Sequence, residues 1–464
     1  MTDPSVTLIL VSSGAFALFL AVFWGFRKKL DDRHVIFIMM IAGLTLRLIY
    51  ILTTDIDQRQ HDVYSFEEMK GHAGYIGYLL NNAALPDFDP REIFQFYHPP
   101  LHHIIAALWM RLNLAAGISF DNSAENIQIL TLLYSGLFMI LTERIFRKIG
   151  SKGPGLTVAF ALIAFHPAFI ILSGSINNDM LSILLMQGAF LFALRWNDKR
   201  KKTDIALAAV FMGLGMMTKL SVGIAAAGIG FIFLLRFLQN KEERKGMIAG
   251  FAIFAAICFP LALWWGIRNA VLFGVPISYV PSLGDGSHQY IGHYSVYERL
   301  FDFSPYQFQS VYVAWGEPYF EHNVFIGLLK TASFGEQTLS DQSGPVYIAA
   351  QILFVSSAVI ALLSVICGGV VMFREDMIRN RVQKGFVVVT GLTFLAAYIQ
   401  FCFAYPHTCT QNIRYATPLI WIAALFIGKC TGEFFGKKTK WLPIAAVSAF
   451  SAASVLFYTL LAYK

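Results

Sequence analysis

Twelve stretches of the chain are apolar over lengths that can cross about 30 Å of hydrocarbon. They cover residues 5–26, 35–53, 127–146, 155–174, 180–196, 204–218, 221–238, 246–266, 345–373, 385–404, 415–433 and 441–461. A backbone inside lipid must satisfy its own hydrogen bonds, so a chain of this pattern folds as a helical bundle. The expected fold class is therefore an all-α polytopic membrane protein of about 12 transmembrane helices, with residues 1–464 as a single domain. Composition agrees and excludes an ordinary soluble enzyme, because 56% of residues are hydrophobic and only 14% are charged. The opening "MTDPSV" has no basic segment ahead of the first apolar run, which reads as a first helix rather than a cleaved signal peptide.

Six short segments, from "RKKLDDRH" to "KCTGEFFGKKTK", hold 25 of the 36 basic residues, and this bias marks the cytoplasmic side. The net charge of +7 is thus a topology signal, and no nucleic-acid partner is expected. Alternation of the remaining loops requires one apolar run not to span. Residues 101–118 fit best, as an interfacial or re-entrant helix that carries His102, His103 and Arg111. Both termini then lie outside, in a multi-pass protein of the cell membrane. The five cysteines have no metal-like spacing, although Cys402 and Cys409 both fall near the outer face and a pairing stays open.

Two outer segments, residues 54–100 and 267–344, are too long to be simple connections, and loops of that length commonly bind or catalyse. In the first, Asp55, Asp57 and Asp62 hang at the mouth of the membrane. A carboxylate there can take a proton from an acceptor hydroxyl or amine, or merely solvate a loop end. Downstream, "GHAGYIGYLLNNAALPDFDP" reads as an amphipathic surface helix with Tyr75, Ile76, Tyr78, Leu79 and Leu80 on its apolar side. "QFYHPPLHH" follows, where a double proline suits a helix start whose free N–H groups attract an anion. Tyr97 and His98 would donate to a lipid-linked phosphate there. A zinc pair of His98 and His102 is disfavoured, since prolines fill the turn and no glutamate stands in the metalloprotease position.

In "SGSINNDML", Asn177, Asn178 and Asp179 are either a helix cap or a second polar site. Lys219, Arg268 and Arg414, with Arg47 deepest of all, are costly near apolar helix ends unless they snorkel or meet an anion. Converging on one mouth, they would clamp a phosphate. The second outer segment is dense in Tyr, Phe and Trp around Glu317 and Glu321, and suits a lid or acceptor platform over the donor mouth.

Asp62, "FYHPPL", "NND", "MTK", "WGIRN" and "RYATP", in this order, carry a family resemblance. The chain resembles the GT-C superfamily of membrane glycosyltransferases, in particular the family 39-like group of protein O-mannosyltransferases and lipid A aminoarabinose transferases. The resemblance implies a GT-C-like bundle with interfacial helices in the first outer loop. It implies transfer of a sugar from a polyprenyl-phosphate donor to a glycan, lipid or protein acceptor, inverting, on the extracytoplasmic side. Asp62 would match the catalytic base, with Asp55 and Asp57 leaving its identity open. His98 would lie near the lipid phosphate, and Arg414 would contact it. Asp179 would match a second acidic position that in some relatives helps hold a divalent cation, Mg or Mn, together with Asp62. With no large soluble domain after the last apolar run, a small acceptor or surface polymer is expected rather than an oligosaccharyltransferase reaction. A transporter or flippase of a lipid-linked sugar is the alternative, but the chain has no internal repeat, and its polar residues crowd one face. A non-enzymatic assembly subunit is disfavoured by the acids and histidines of the first loop.

Overall fold

The computed structural model describes residues 31–313, 321–336 and 343–462. The expected span over 5–26 and the side chain of Glu317 lie outside the described residues. The described residues are helices and turns without a strand, apart from one isolated antiparallel bridge between Tyr290 and His407. Among the described residues, eight helices are long and apolar enough to cross a membrane: Asp32–Leu52, Phe120–Lys148, Asp179–Lys199, Leu220–Gln239, Arg244–Phe273, Gly344–Phe373, Arg381–Ala404 and Trp441–Leu461. Gly153–Phe165 and Pro167–Gly174 are long and apolar enough only as a pair, and they meet at a break bent by 41°. Two expected spans are shorter. Lys202–Thr218 has 17 residues, and Pro418–Lys429 has 12 before a π-helical turn over Cys430–Phe434.

The break at His166 has a local cause and a distant repair. Pro167 has no N–H to give the Ile163 carbonyl, and the Ala168 N–H turns to His166 Nδ1 at 3.2 Å. Two carbonyls are left over inside the bundle. The fully buried Arg47 guanidinium takes both, Ala164 at 2.6 Å and Ile163 at 3.2 Å, while also donating to the Gly43 carbonyl and Ser135 Oγ. Gly43 permits the approach, because a Cβ there would stand 2.7 Å from the Ala164 oxygen. Arg47 therefore staples a broken helix and does not join a phosphate clamp. Elsewhere small residues bring helices together, as lipid-embedded packing favours. Gly155 and Gly428 each face the other's carbonyl so closely that an added Cβ would lie about 2.5 Å from it.

Basic segments gather at one end of the bundle, where Arg147 pairs with Asp32, Lys148 with Asp198 and Arg195 with Asp204. The opposite end carries the long segments after Leu52 and after Phe273. There Gly71–Asn82 and Leu101–Ala115 pack on one another around Val63, Tyr75, Ile76, Phe96, Ala106 and Met110 in a second apolar core. The apolar side of Gly71–Asn82 thus faces protein. Leu101–Ala115 has 15 residues, about 22 Å, which is short of the hydrocarbon thickness. All five cysteines are free thiols.

Replacing Arg47 by Met should leave the Ile163 and Ala164 carbonyls without partners, at about 1–3 kcal/mol for each buried group. The unfolding temperature in detergent should fall by several degrees, while Arg374→Met, an exposed arginine, should leave it unchanged.

Candidate functional site

A cavity of about 510 Å³ opens at the end of the bundle opposite the basic segments. Asp62, His72, Tyr97, His98, Asn178, Lys219, Arg414 and Tyr415 form its polar wall, and Leu220, Ile224, Ala397, Phe401 and Ala404 its apolar wall. Several polar members stand where regular helix stops. Lys219 is the extended residue (φ −155°, ψ 120°) between Lys202–Thr218 and a 3₁₀ turn over Leu220–Ala225. Asn178 precedes the helix that Asp179 begins, and its amide donates to the Thr218 carbonyl at 2.9 Å. Arg414 lies in a short 3₁₀ turn whose backbone is capped by Asn412 Oδ1 at 2.9 Å.

Arg414 is the hub. Its Nη2 donates to Asp62 Oδ2 at 2.8 Å and to the Tyr415 hydroxyl at 3.0 Å. Its guanidinium lies 3.9 Å from Asp179 Oδ2 and 3.9 Å from Glu336 Oε1. Lys219 Nζ pairs with Asp179 Oδ1 and lies 5.1 Å over the Tyr415 ring. Among these three carboxylates only Asp62 lines the cavity, with 29% of its side chain exposed against 2% for Asp179.

Asp62 is held in an unusual backbone state. Its φ is 59° and that of Tyr64 is 58°, in the left-handed region that costs a non-glycine residue energy. The first turn of Gly71–Asn82 keeps this arrangement, with the His72 N–H donating to the Asp62 carbonyl at 3.0 Å and the Ala73 N–H to Val63 at 2.9 Å. Gly71, at φ 71°, has no room for a side chain, since a Cβ would meet the Val63 carbonyl at 2.5 Å and that of Asp62 at 2.8 Å.

Of the residues singled out in the sequence, Asp62, Tyr97, His98, Asn178, Lys219 and Arg414 share the cavity wall, and Asp179 stands directly behind it. The other described ones do not come to it. Asp55 accepts from Gln58 at 3.0 Å on an exposed turn, and Asp57 is exposed. Arg268 donates to the Pro86 carbonyl at 2.5 Å and stacks over Trp265, away from the cavity. Glu321 is fully buried and accepts from Lys330 at 2.6 Å. Sequence reasoning missed Glu336, which also accepts from Asn412 Nδ2 at 2.7 Å and lies 3.5 Å from His61 Nδ1. No motif surrounds Glu336. Tyr415 was within reach, as the neighbour of Arg414 in "RYATP".

A divalent cation does not fit here. Asp62 and Asp179 already converge on the Arg414 guanidinium, and Asp179 is also taken by Lys219. Among the described residues no group of three His, Cys, Asp or Glu is arranged to hold a metal ion.

Four imidazoles pack beside the ion-pair cluster. His72 and His103 share a hydrogen bond of 2.9 Å, His72 stacks with His98 at 5.4 Å, and His102 Nε2 donates to the Ile176 carbonyl at 2.8 Å. Burial, followed by repulsion from Lys219, His103 and Arg414, holds His98 well below the usual imidazole range. Burial and neighbouring imidazoles do the same for His72 and His103, and burial brings His102 to about 4. Burial opposes the charge on Arg414, but Tyr415, Asp62 and Glu336 outweigh it and raise its pKa. Burial pushes Glu336 up, yet His61 and Arg414 bring it to about 2. Neutral imidazoles thus line the cavity beside fixed cations. The unfolded chain binds protons at these histidines below its ordinary pKa of about 6.5, and the native chain does not, so their stabilisation is whole above that pH and lost below it. The unfolding temperature should fall between about pH 7 and about pH 5, and His103→Gln should make that fall shallower. Equal slopes in both proteins would contradict the neutral cluster.

Residues 97–265 match the family described as dolichyl-phosphate-mannose-protein mannosyltransferase. No curated protein sequence matches the chain. Among solved structures, the Archaeoglobus fulgidus oligosaccharyltransferase in its apo form aligns over 93% of this chain and 56% of its own, at 12% identity and a TM-score of 0.51. The apo ArnT of Cupriavidus metallidurans aligns over 97% of this chain and 77% of its own, at 11% identity and a TM-score of 0.47. The S. cerevisiae protein O-mannosyltransferase Pmt1-Pmt2 complex, bound to its sugar donor, aligns over 56% of this chain and 36% of its own, at 13% identity and a TM-score of 0.40. The chain thus spans about a third of the length of that mannosyltransferase chain and about half of the oligosaccharyltransferase. It is a multi-pass membrane protein whose fold is similar to that of the oligosaccharyltransferase, and its residues 97–265, about a third of the chain, match the mannosyltransferase family.

Proposed function

We propose that the chain transfers a sugar from a polyprenyl-phosphate donor to an acceptor hydroxyl or amine, with Asp62 as the general base. One observation carries this reading: the only carboxylate of the cluster that reaches the cavity faces a wall of two cations on one side and apolar residues on the other. The polar and apolar walls suit a ligand that is a phosphate joined to a hydrocarbon tail. A volume of about 510 Å³ is in the range of small-molecule sites.

Arg414, Lys219 and the neutral His98 would hold the donor phosphate, the first two by charge and the third by an N–H. Leu220, Ile224, Ala397 and Phe401 would receive the first isoprene units. Asp62 takes the acceptor proton as the acceptor oxygen or nitrogen bonds to the anomeric carbon, and the bond from that carbon to the phosphate oxygen breaks with its electron pair. Attack opposite the leaving phosphate inverts the anomeric centre. The Arg414 contact aims Asp62, and the phosphate leaves into the field of Arg414 and Lys219, where its extra charge is best stabilised. The charge bias supports a cytoplasmic reading of the end with the basic segments, and with it an extracytoplasmic cavity. No step is assigned to a divalent cation.

In a purified assay with a polyprenyl-phosphate sugar, Asp62→Asn should lower turnover by about 10²–10⁴-fold while binding of polyprenyl phosphate is kept. Full turnover by that variant would remove Asp62 from the role. Turnover in detergent micelles, which have no two compartments, separates transfer from the flipping of a lipid-linked sugar. A reporter fused after Asn122 should read as external, and a cytoplasmic signal would reverse the sidedness.

A further inference from the structure

The segment after the Arg244–Phe273 span contains a ridge with its polarity turned inside out. In the short helix Val296–Phe301, Arg299 points inward at 3% exposure, whereas Val296 is 61% and Tyr297 70% exposed. Phe301 and Phe303 continue this outward side, followed by Tyr306 and Phe308 in the 3₁₀ turn Pro305–Phe308. A loop in water hides its aromatic residues and shows its arginine.

The ridge is stiff. Ser295 and Glu298 form a capping box at the helix start. Asp302 accepts from the Tyr306 hydroxyl at 2.8 Å and lies 2.9 Å from His322 Nε2, and it is also bonded to Ser304. Arg299 anchors the underside by donating to the Cys402 carbonyl at 2.8 Å, with its guanidinium over the Phe403 ring.

Two helices measure the height at which the ridge sits. Arg374 and Arg381, paired with Asp376 and Glu375, mark the polar boundary at the other end of the Gly344–Phe373 and Arg381–Ala404 spans. Phe308 packs against Phe354, which is nineteen residues before Phe373, about 29 Å along the helix. Arg299 meets Cys402, twenty-one residues after Arg381, about 32 Å along the other. Both rulers give one hydrocarbon thickness, about 30 Å. On Gly344–Phe373, Val355 and Val359, on the inner side of that level, are exposed as well.

We propose that Val296, Tyr297, Phe301, Phe303, Tyr306 and Phe308 form a docking surface for the bilayer itself, seated where acyl chains meet headgroups. Aromatic rings favour that depth, with apolar bodies among the chains and hydroxyls toward the headgroups. The surface fixes one edge of the segment to the membrane, beside the cavity that Tyr279 and Val280 of the same segment help to line. This placement stands independently of the sugar-transfer reading.

The test uses the full chain in phospholipid nanodiscs with a nitroxide on Tyr297→Cys or on Phe303→Cys, both exposed positions. The labelled parent, whose own cysteines are buried or nearly so, supplies the background. Collisions with oxygen should exceed those with a water-soluble nickel chelate at both sites, by several-fold relative to a label on the exposed Glu242→Cys. An oxygen-to-nickel ratio equal to that of Glu242→Cys would put the ridge in water and overturn the proposal. Spin–spin broadening that disappears on dilution with unlabelled protein would assign the surface to a second copy, and would overturn it equally.

Discussion

The guanidinium of Arg414 joins parts of the chain that are remote in sequence. Asp62 comes from the segment after the first described span, Asp179 from the start of another span, and Glu336 from the turn after Val324–Phe334. Each carboxylate alone would be costly in an apolar bundle, and so would the arginine. Together, with Lys219 on Asp179, they compensate one another, and Asp62 is left with a face toward the cavity. The same contacts explain why a divalent cation has no place between Asp62 and Asp179.

Breaks in the helices make this meeting possible. Inside lipid an interrupted helix leaves backbone groups that water cannot reach, so a break survives only where other groups of the protein take them. At Thr218 and Lys219 the partner is Asn178, and the broken segment lines the cavity. At His166 and Pro167 the partner is Arg47, and the break bends a span without reaching the cavity. Two intramembrane cations thus have different work, which is read from what each one touches.

The loop-one core adds the remaining constraint. Asp62 keeps a left-handed backbone only because the first turn of Gly71–Asn82 binds its carbonyl and Gly71 leaves the space. The imidazoles that pack there are buried, stacked on aromatic rings and on each other, and stay neutral beside the cations. A row of charged imidazoles there would repel one another and the cations beside them.

Much of this was legible in the sequence, because apolar length and charge bias act locally along a chain. The spans at 35–53, 127–146, 345–373 and 441–461 follow from hydrocarbon thickness alone, and the gathering of basic residues at one end follows from where they fall between spans. Asp62, His98, Asp179 and Arg414 were singled out too: Asp62 as an acid at the membrane mouth, His98 before a double-proline helix start, Asp179 in a polar run, and Arg414 as a charge near an apolar helix end. The sequence could not rank Lys219, Arg268 and Arg47, since all three are cations near or within apolar helices. Only the tertiary structure decided that Lys219 meets an acid at the cavity, Arg268 a loop carbonyl and Arg47 the orphaned carbonyls of a proline break. Glu336 and the inverted ridge at Val296–Phe308 were likewise silent, for burial and partnership at those positions depend on residues dozens to hundreds of positions away. A hydrophobic stretch carries its own reason to cross a bilayer, whereas a charge acquires its role from whichever group the folded chain brings beside it.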